Sequence, residues 1–110
     1  MTEGKNWYFG QDEEIMAKQL AERVVKRLCL MWKLLFIEDK VEWDRNPGWP
    51  AKFVETTFKL YGQQFSLGPT DIGLSSDGWD QGFMETVQGT MEKDLKEVGA
   101  TEIHSYGFID

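Results

Sequence analysis

Phe53-Val54-Glu55-Thr56-Thr57-Phe58-Lys59-Leu60-Tyr61-Gly62-Gln63-Gln64-Phe65-Ser66-Leu67 is the stretch that decides the fold. Val54, Thr56, Phe58 and Leu60 alternate with Glu55, Thr57 and Lys59, the period-two pattern of a strand with one buried face. Gly62-Gln63 reads as a turn, and Phe65 and Leu67 continue on a returning strand. A helix over 51–64 is the competing assignment, but the adjacent Thr56 and Thr57 and the following glycine weigh against it. The middle of the chain is a hairpin.

Amphipathic helices flank it. Ile15, Met16, Leu20, Val24, Leu28, Met31, Trp32 and Leu35 recur at intervals of three and four, with Asp12 as the expected N-cap. Leu34 to Ile37 is apolar on every side and suits either the end of that helix or the start of a strand. A second helix starts near Asp77–Asp80, with Trp79, Phe83, Val87, Met91, Leu95 and Val98 as its stripe and Gly99 as its stop. Thr101 to Ile109 alternates again, with Ile103 and Ile109 toward the helices and His104, Tyr106 and Phe108 away from them. Trp7 to Phe9 reads as a short first strand.

The order is therefore β-α-β-β-α-β over a single domain, residues 1–110. This predicts an α+β fold of ferredoxin-like βαββαβ type, a sandwich with two helices on one face of a small antiparallel sheet. Residues 38–50 elaborate the first crossover: Asn46-Pro47-Gly48 suits a turn, and Val41-Glu42-Trp43 a further short strand.

Charge and composition exclude several classes of function. The net charge is −7; residues 1–55 carry ten acids and nine bases, residues 56–110 nine acids and three bases. Between Leu60 and Glu92 there is no Lys or Arg, so this half would repel a nucleic-acid duplex. The longest apolar run, Leu28 to Ile37, is broken by Lys33 and is shorter than the roughly 20 residues of a membrane span. Met1 to Asn6 lacks the regions of a signal peptide, and Cys29 is the one cysteine, so the expectation is a soluble, cytoplasmic protein.

No motif carries a named chemistry. One His and one Cys cannot build a structural zinc centre. A calcium loop starting at Asp77 would put Trp79, Gln81 and Gln88 where ligands belong, so helix capping accounts better for Asp77 and Asp80. Cys29 lies among Leu28, Leu30 and Met31 and reads as a buried thiol. Neither a metal nor a cofactor is implied.

Two resemblances bear on function. Trp7-Tyr8-Phe9-Gly10 resembles the first-strand aromatic motif of the RNA-recognition module, and Tyr106-Gly107-Phe108-Ile109 the core of its second motif. The second belongs on the module's third strand and here falls on the last, the first helix is too long, and the charge has the wrong sign; the module is set aside. Two sheets packed face to face would resemble the dimeric α+β barrel arrangement, some of whose members are cofactor-free oxygenases of aromatic compounds. That resemblance implies a cavity lined by Tyr8, Tyr61, His104, Tyr106 and Phe108, with His104 and Tyr106 as candidate catalytic groups.

The leading expectation is a small acidic, non-enzymatic protein-interaction domain: an adaptor, inhibitor or regulator of another, basic protein. Trp43 and Trp49, in the Pro-containing loop, either cap a satellite core under that loop or stand exposed as its candidate partner-binding anchors. The alternative is a ligand-binding protein or cofactor-free enzyme, a homodimer using the open sheet face.

Overall fold

The hairpin forms, and its turn falls one residue earlier than the sequence suggests. β1 (Pro50–Leu60) and β2 (Gln63–Leu67) pair antiparallel with Leu60 opposite Gln63. Tyr61 (φ 50°) and Gly62 (φ 77°) are then the two loop residues, both left-handed, as a type I′ turn requires.

The computed structural model describes residues 2–37, 49–76 and 78–109, with side chains from Glu13 onward. α1 (Thr2–Ile37) precedes the hairpin; a 3-10 turn (Pro69–Ile72), β3 (Trp79–Asp80), α2 (Gln81–Glu97) and β4 (Thr101–Ile109) follow it. β1 pairs with all three other strands, every time antiparallel. Thr56 and Thr57 face both β2 and β4, and Ala51 faces both β3 and β4. A strand has only two edges, so β4 takes one of them alone while β2 and β3 share the other.

The pairing with β4 shifts register twice. Phe53 pairs with Gly107 but Glu55 with Tyr106, leaving Val54 as an extra residue in β1. This bulge reverses the phase of the strand: Ala51 and Phe53 are buried before it, Thr56, Phe58 and Leu60 after it, and Val54 is exposed. The predicted alternation holds from Thr56 onward and fails at Val54 for that reason. The second shift puts an extra residue in β4 between Thr101 and His104, beside Glu102 with its positive φ of 52°.

Both helices pack on the inward face of β1, and one hydrophobic core contains residues of α1, the sheet and α2. α1 buries Ala21, Val25, Leu28, Trp32 and Phe36, one stripe at four-, three-, four- and four-residue steps. Only Leu28 and Trp32 of the expected stripe are among them. Val24 and Leu35 flank the core, while Ile15, Met16, Leu20 and Met31 are exposed. α1 is apolar on two faces, and the sheet covers one. Leu34 to Ile37 continue the helix.

α2 buries Met84, Val87, Met91 and Leu95. Gly99 N–H bonds to Lys96 C=O at 3.1 Å and Ala100 N–H to Leu95 C=O at 2.9 Å, closing the helix as a Schellman motif. Trp79, expected inside this helix, is the buried residue of β3 instead. It stacks on Phe53 with 5.4 Å between ring centroids and donates its indole N–H to Ser75 C=O at 2.7 Å.

The α+β class stands, with two helices on one face of a four-stranded antiparallel sheet. The ferredoxin-like connectivity is not reproduced among the described residues. Residues 7–9, expected as the first strand, lie within α1, and Asp12, expected as its cap, is interior to it. Extending an already nucleated helix costs far less than starting a three-residue strand. With no strand ahead of α1 among the described residues, β4 lies against the first strand of the hairpin. The expected crossover elaboration, with Trp43 and the Asn46-Pro47-Gly48 turn, falls outside the described residues, as does Asp77.

Candidate functional site

Several exposed apolar side chains lie toward the Trp49 end of the β1–β4 ladder. Trp49 is 70% exposed, Phe108 49%, Tyr106 48% and Val54 47%, with Ile109 beside them opposite Ala51. The backbone under Trp49 is held: its carbonyl accepts the N–H of Gln81 at 3.1 Å, and Pro50 pairs with Asp80. The first turn of α2 thus anchors the start of β1, and the indole projects from a fixed point. The Val54 bulge adds a further apolar side chain to the outward side.

Gly107 explains why β4 can lie so close. A Cβ at this position would come within 2.8 Å of both Lys52 O and Met84 Sδ. Gln88 Nε2 reaches Tyr106 O at 3.5 Å, so α2 braces the strand from behind.

On the outward face, cross-strand neighbours are Lys52 with Phe108, Glu55 with Tyr106, and Thr57 with His104. His104 and Tyr106 lie ring to ring at 6.4 Å, inclined by 40°. The nearby charges are engaged elsewhere: Ser66 Oγ donates to Glu55 Oε2 at 2.5 Å, and Lys59 Nζ pairs with Glu102 Oε2 at 3.1 Å. Behind this face the buried Thr56 hydroxyl is satisfied by Ser105 Oγ at 3.1 Å.

His104, Tyr106 and Phe108 therefore share the helix-free face, with Trp49 at the same end of the ladder as Phe108. The other expected residues do not join them. Tyr61 sits in the hairpin turn beside Lys18 of α1, Tyr8 belongs to α1 with its side chain outside the described residues, and Trp43 lies outside them altogether.

A second surface feature escaped the sequence. A groove of about 690 Å³ runs between α1 and β2, walled by Arg23, Lys26 and Lys33 and floored by Val25, Phe65 and Leu67. Half-buried Cys29 lies in it, its thiol pushed above the ordinary value by burial and then by Asp71, against the opposing pull of Lys33. That makes it a poor nucleophile at neutral pH. Among the described residues no three His, Cys, Asp or Glu side chains converge as a metal site would require, and no helix is long and apolar enough to cross a membrane.

The chain matches no protein-family model, no curated protein and no solved structure.

Proposed function

We propose that this chain is a small non-enzymatic protein-interaction domain that docks another protein on the aromatic end of the β1–β4 ladder. The observation that carries the reading is Trp49, 70% exposed on a backbone fixed by Gln81. A large rigid ring offered from an anchored position loses little entropy on binding, and truncation of such an anchor at an interface centre costs about 2 kcal/mol or more. Phe108, Tyr106 and Val54 widen the contact. The excess of acids in residues 56–110 favours a partner of basic character and disfavours nucleic acid. A cytoplasmic adaptor, inhibitor or regulator fits these properties.

The test is cross-linking and affinity capture from the native host with the wild-type chain and Trp49→Ala. The expected result is one partner recovered by the wild type and lost by the variant, with unchanged oligomer mass. Recovery of that partner at wild-type yield by Trp49→Ala would overturn the reading.

The proximity of His104 and Tyr106 supports a second reading, a face-to-face homodimer of the α+β barrel kind enclosing a small ligand. In that case Tyr106→Lys with Phe108→Glu would bury charge, split the dimer and release the ligand in native mass spectrometry.

A further inference from the structure

The free edge of β2 and the groove beside it meet the requirements for strand addition. β2 ends the sheet on its side among the described residues, pairing only with β1. In a two-residue hairpin the pair flanking the loop, here Leu60 and Gln63, is hydrogen-bonded. Alternation then turns the backbone N–H and C=O of Gln64 and Ser66 outward, and both residues are exposed. These unpaired groups are a template for another extended chain.

α1 supplies the opposite wall. The Cys29 groove lies between its residues 19–33 and Phe65, Leu67, Thr70 and Asp71. A second groove, where Glu13, Glu14 and Lys18 face Tyr61, Gly62 and Gln63, lies beside the same strand at the hairpin turn. Its two carboxylates disfavour an acidic segment there, so the occupant's acids belong in the Cys29 groove.

Its chemistry selects the occupant. Arg23, Lys26 and Lys33 line the Cys29 groove and form no salt bridge among the described residues. Glu22 and Asp71 are the acids there, and Asp71 already accepts the N–H of Gly68 at 2.8 Å. This cationic wall stands on a chain of net charge −7. Lys26 and Lys33 are about 10.5 Å apart along the helix at 1.5 Å per residue. Same-face residues i and i+4 of a strand are about 13 Å apart, a span that long lysine side chains can match. Between them Cys29, Phe65 and Leu67 offer apolar contact for residue i+2.

We infer that the α1–β2 groove binds an extended acidic peptide segment, which adds to the sheet on the free edge of β2. Two carboxylates on its helix-facing side meet Lys26 and Lys33, and an apolar side chain between them covers Phe65. This site is separate from the Trp49 surface and does not depend on it.

The probes are fluorescent peptides of sequence Thr-Glu-Thr-Leu-Thr-Glu-Thr, its Lys-for-Glu counterpart, and the acidic peptide methylated on alternate backbone nitrogens. Anisotropy should show the acidic peptide binding at least tenfold tighter than the basic one. Lys26→Glu with Lys33→Glu should invert that preference, and N-methylation should abolish binding. In ¹⁵N correlation spectra the amides of Gln64 and Ser66 should shift first. Equal binding of the acidic and basic peptides would overturn the inference. So would retained binding of the methylated one, shifts confined to β4, or no binding at millimolar peptide. Trp49→Ala should leave probe binding unchanged, so failure of either docking surface is read independently of the other.

Discussion

Trp32 of α1 donates its indole N–H to Asp94 Oδ2 of α2 at 2.9 Å, across 62 residues of sequence. Trp32 is fully buried, so without this acceptor its one polar atom would be desolvated and unpaired. The bond fixes how the two helices lie against each other over the sheet.

Asp94→Ala should therefore cost about 1.5–3 kcal/mol, the range for a hydrogen bond to a charged group. Asp94→Asn, which keeps an acceptor, should cost less. Urea melts of both variants measure the difference, and equal losses would show that the bond contributes nothing specific.

Two glycines make a matched pair. Gly107→Ala drives a methyl to within 2.8 Å of Lys52 O, a backbone atom that cannot rotate away. It should destabilise by about 1–3 kcal/mol, the usual cost of overpacking. Gly89→Ala, in the middle of α2 with nothing within 4 Å of the new Cβ, should stabilise by up to about 1 kcal/mol. Thermal midpoints moving in opposite directions are the expected outcome.

The buried face of α1 can be read by truncation. Leu28→Ala and Leu95→Ala should each cost about 2–5 kcal/mol, since both side chains are in the core. Leu20→Ala and Lys18→Ala should stay within about 0.5 kcal/mol because both side chains are exposed. A Leu20 loss as large as that of Leu28 would contradict the observed helix phase.

Cys29 predicts a pH dependence. Burial and Asp71 raise its thiol above the ordinary value, so the folded chain keeps a proton that the unfolded chain releases. Its contribution to stability is present below the unfolded value of about 8.5 and declines as pH rises through the window up to the folded value. Cys29→Ala should flatten the wild-type decline in that window in denaturant melts. Iodoacetamide should alkylate the native thiol at pH 7.5 more slowly than the unfolded one, and Asp71→Asn should speed the native reaction.

Local pattern alone was enough for the hairpin, for the presence of both helices and for the stop at Gly99, because each rests on neighbours within a few residues; it was not enough for where α1 begins. Thr56, Phe58 and Leu60 alternate whatever they pair with, and α2 ends where Gly99 N–H bonds to Lys96 C=O and Ala100 N–H to Leu95 C=O. The aromatic character of the last strand was equally plain, and His104, Tyr106 and Phe108 do share its helix-free side.

Tertiary pairing decided the rest. Val54 reads as inward until β4 is placed beside β1, where the register shift between Phe53 and Glu55 turns it out. α1 is apolar on two faces, so its periodicity could not say which one the sheet would cover; the burial of Val25 and Phe36 rather than Leu20 and Met31 answers that. The placing of Trp49 and Phe108 at the same end of one ladder depends on strands more than fifty residues apart, and the cationic groove depends on α1 passing beside an unpaired edge. Periodicity reports a residue's relation to its own backbone; which face is buried, and beside what, is set by long-range contacts whose free energy no local window contains.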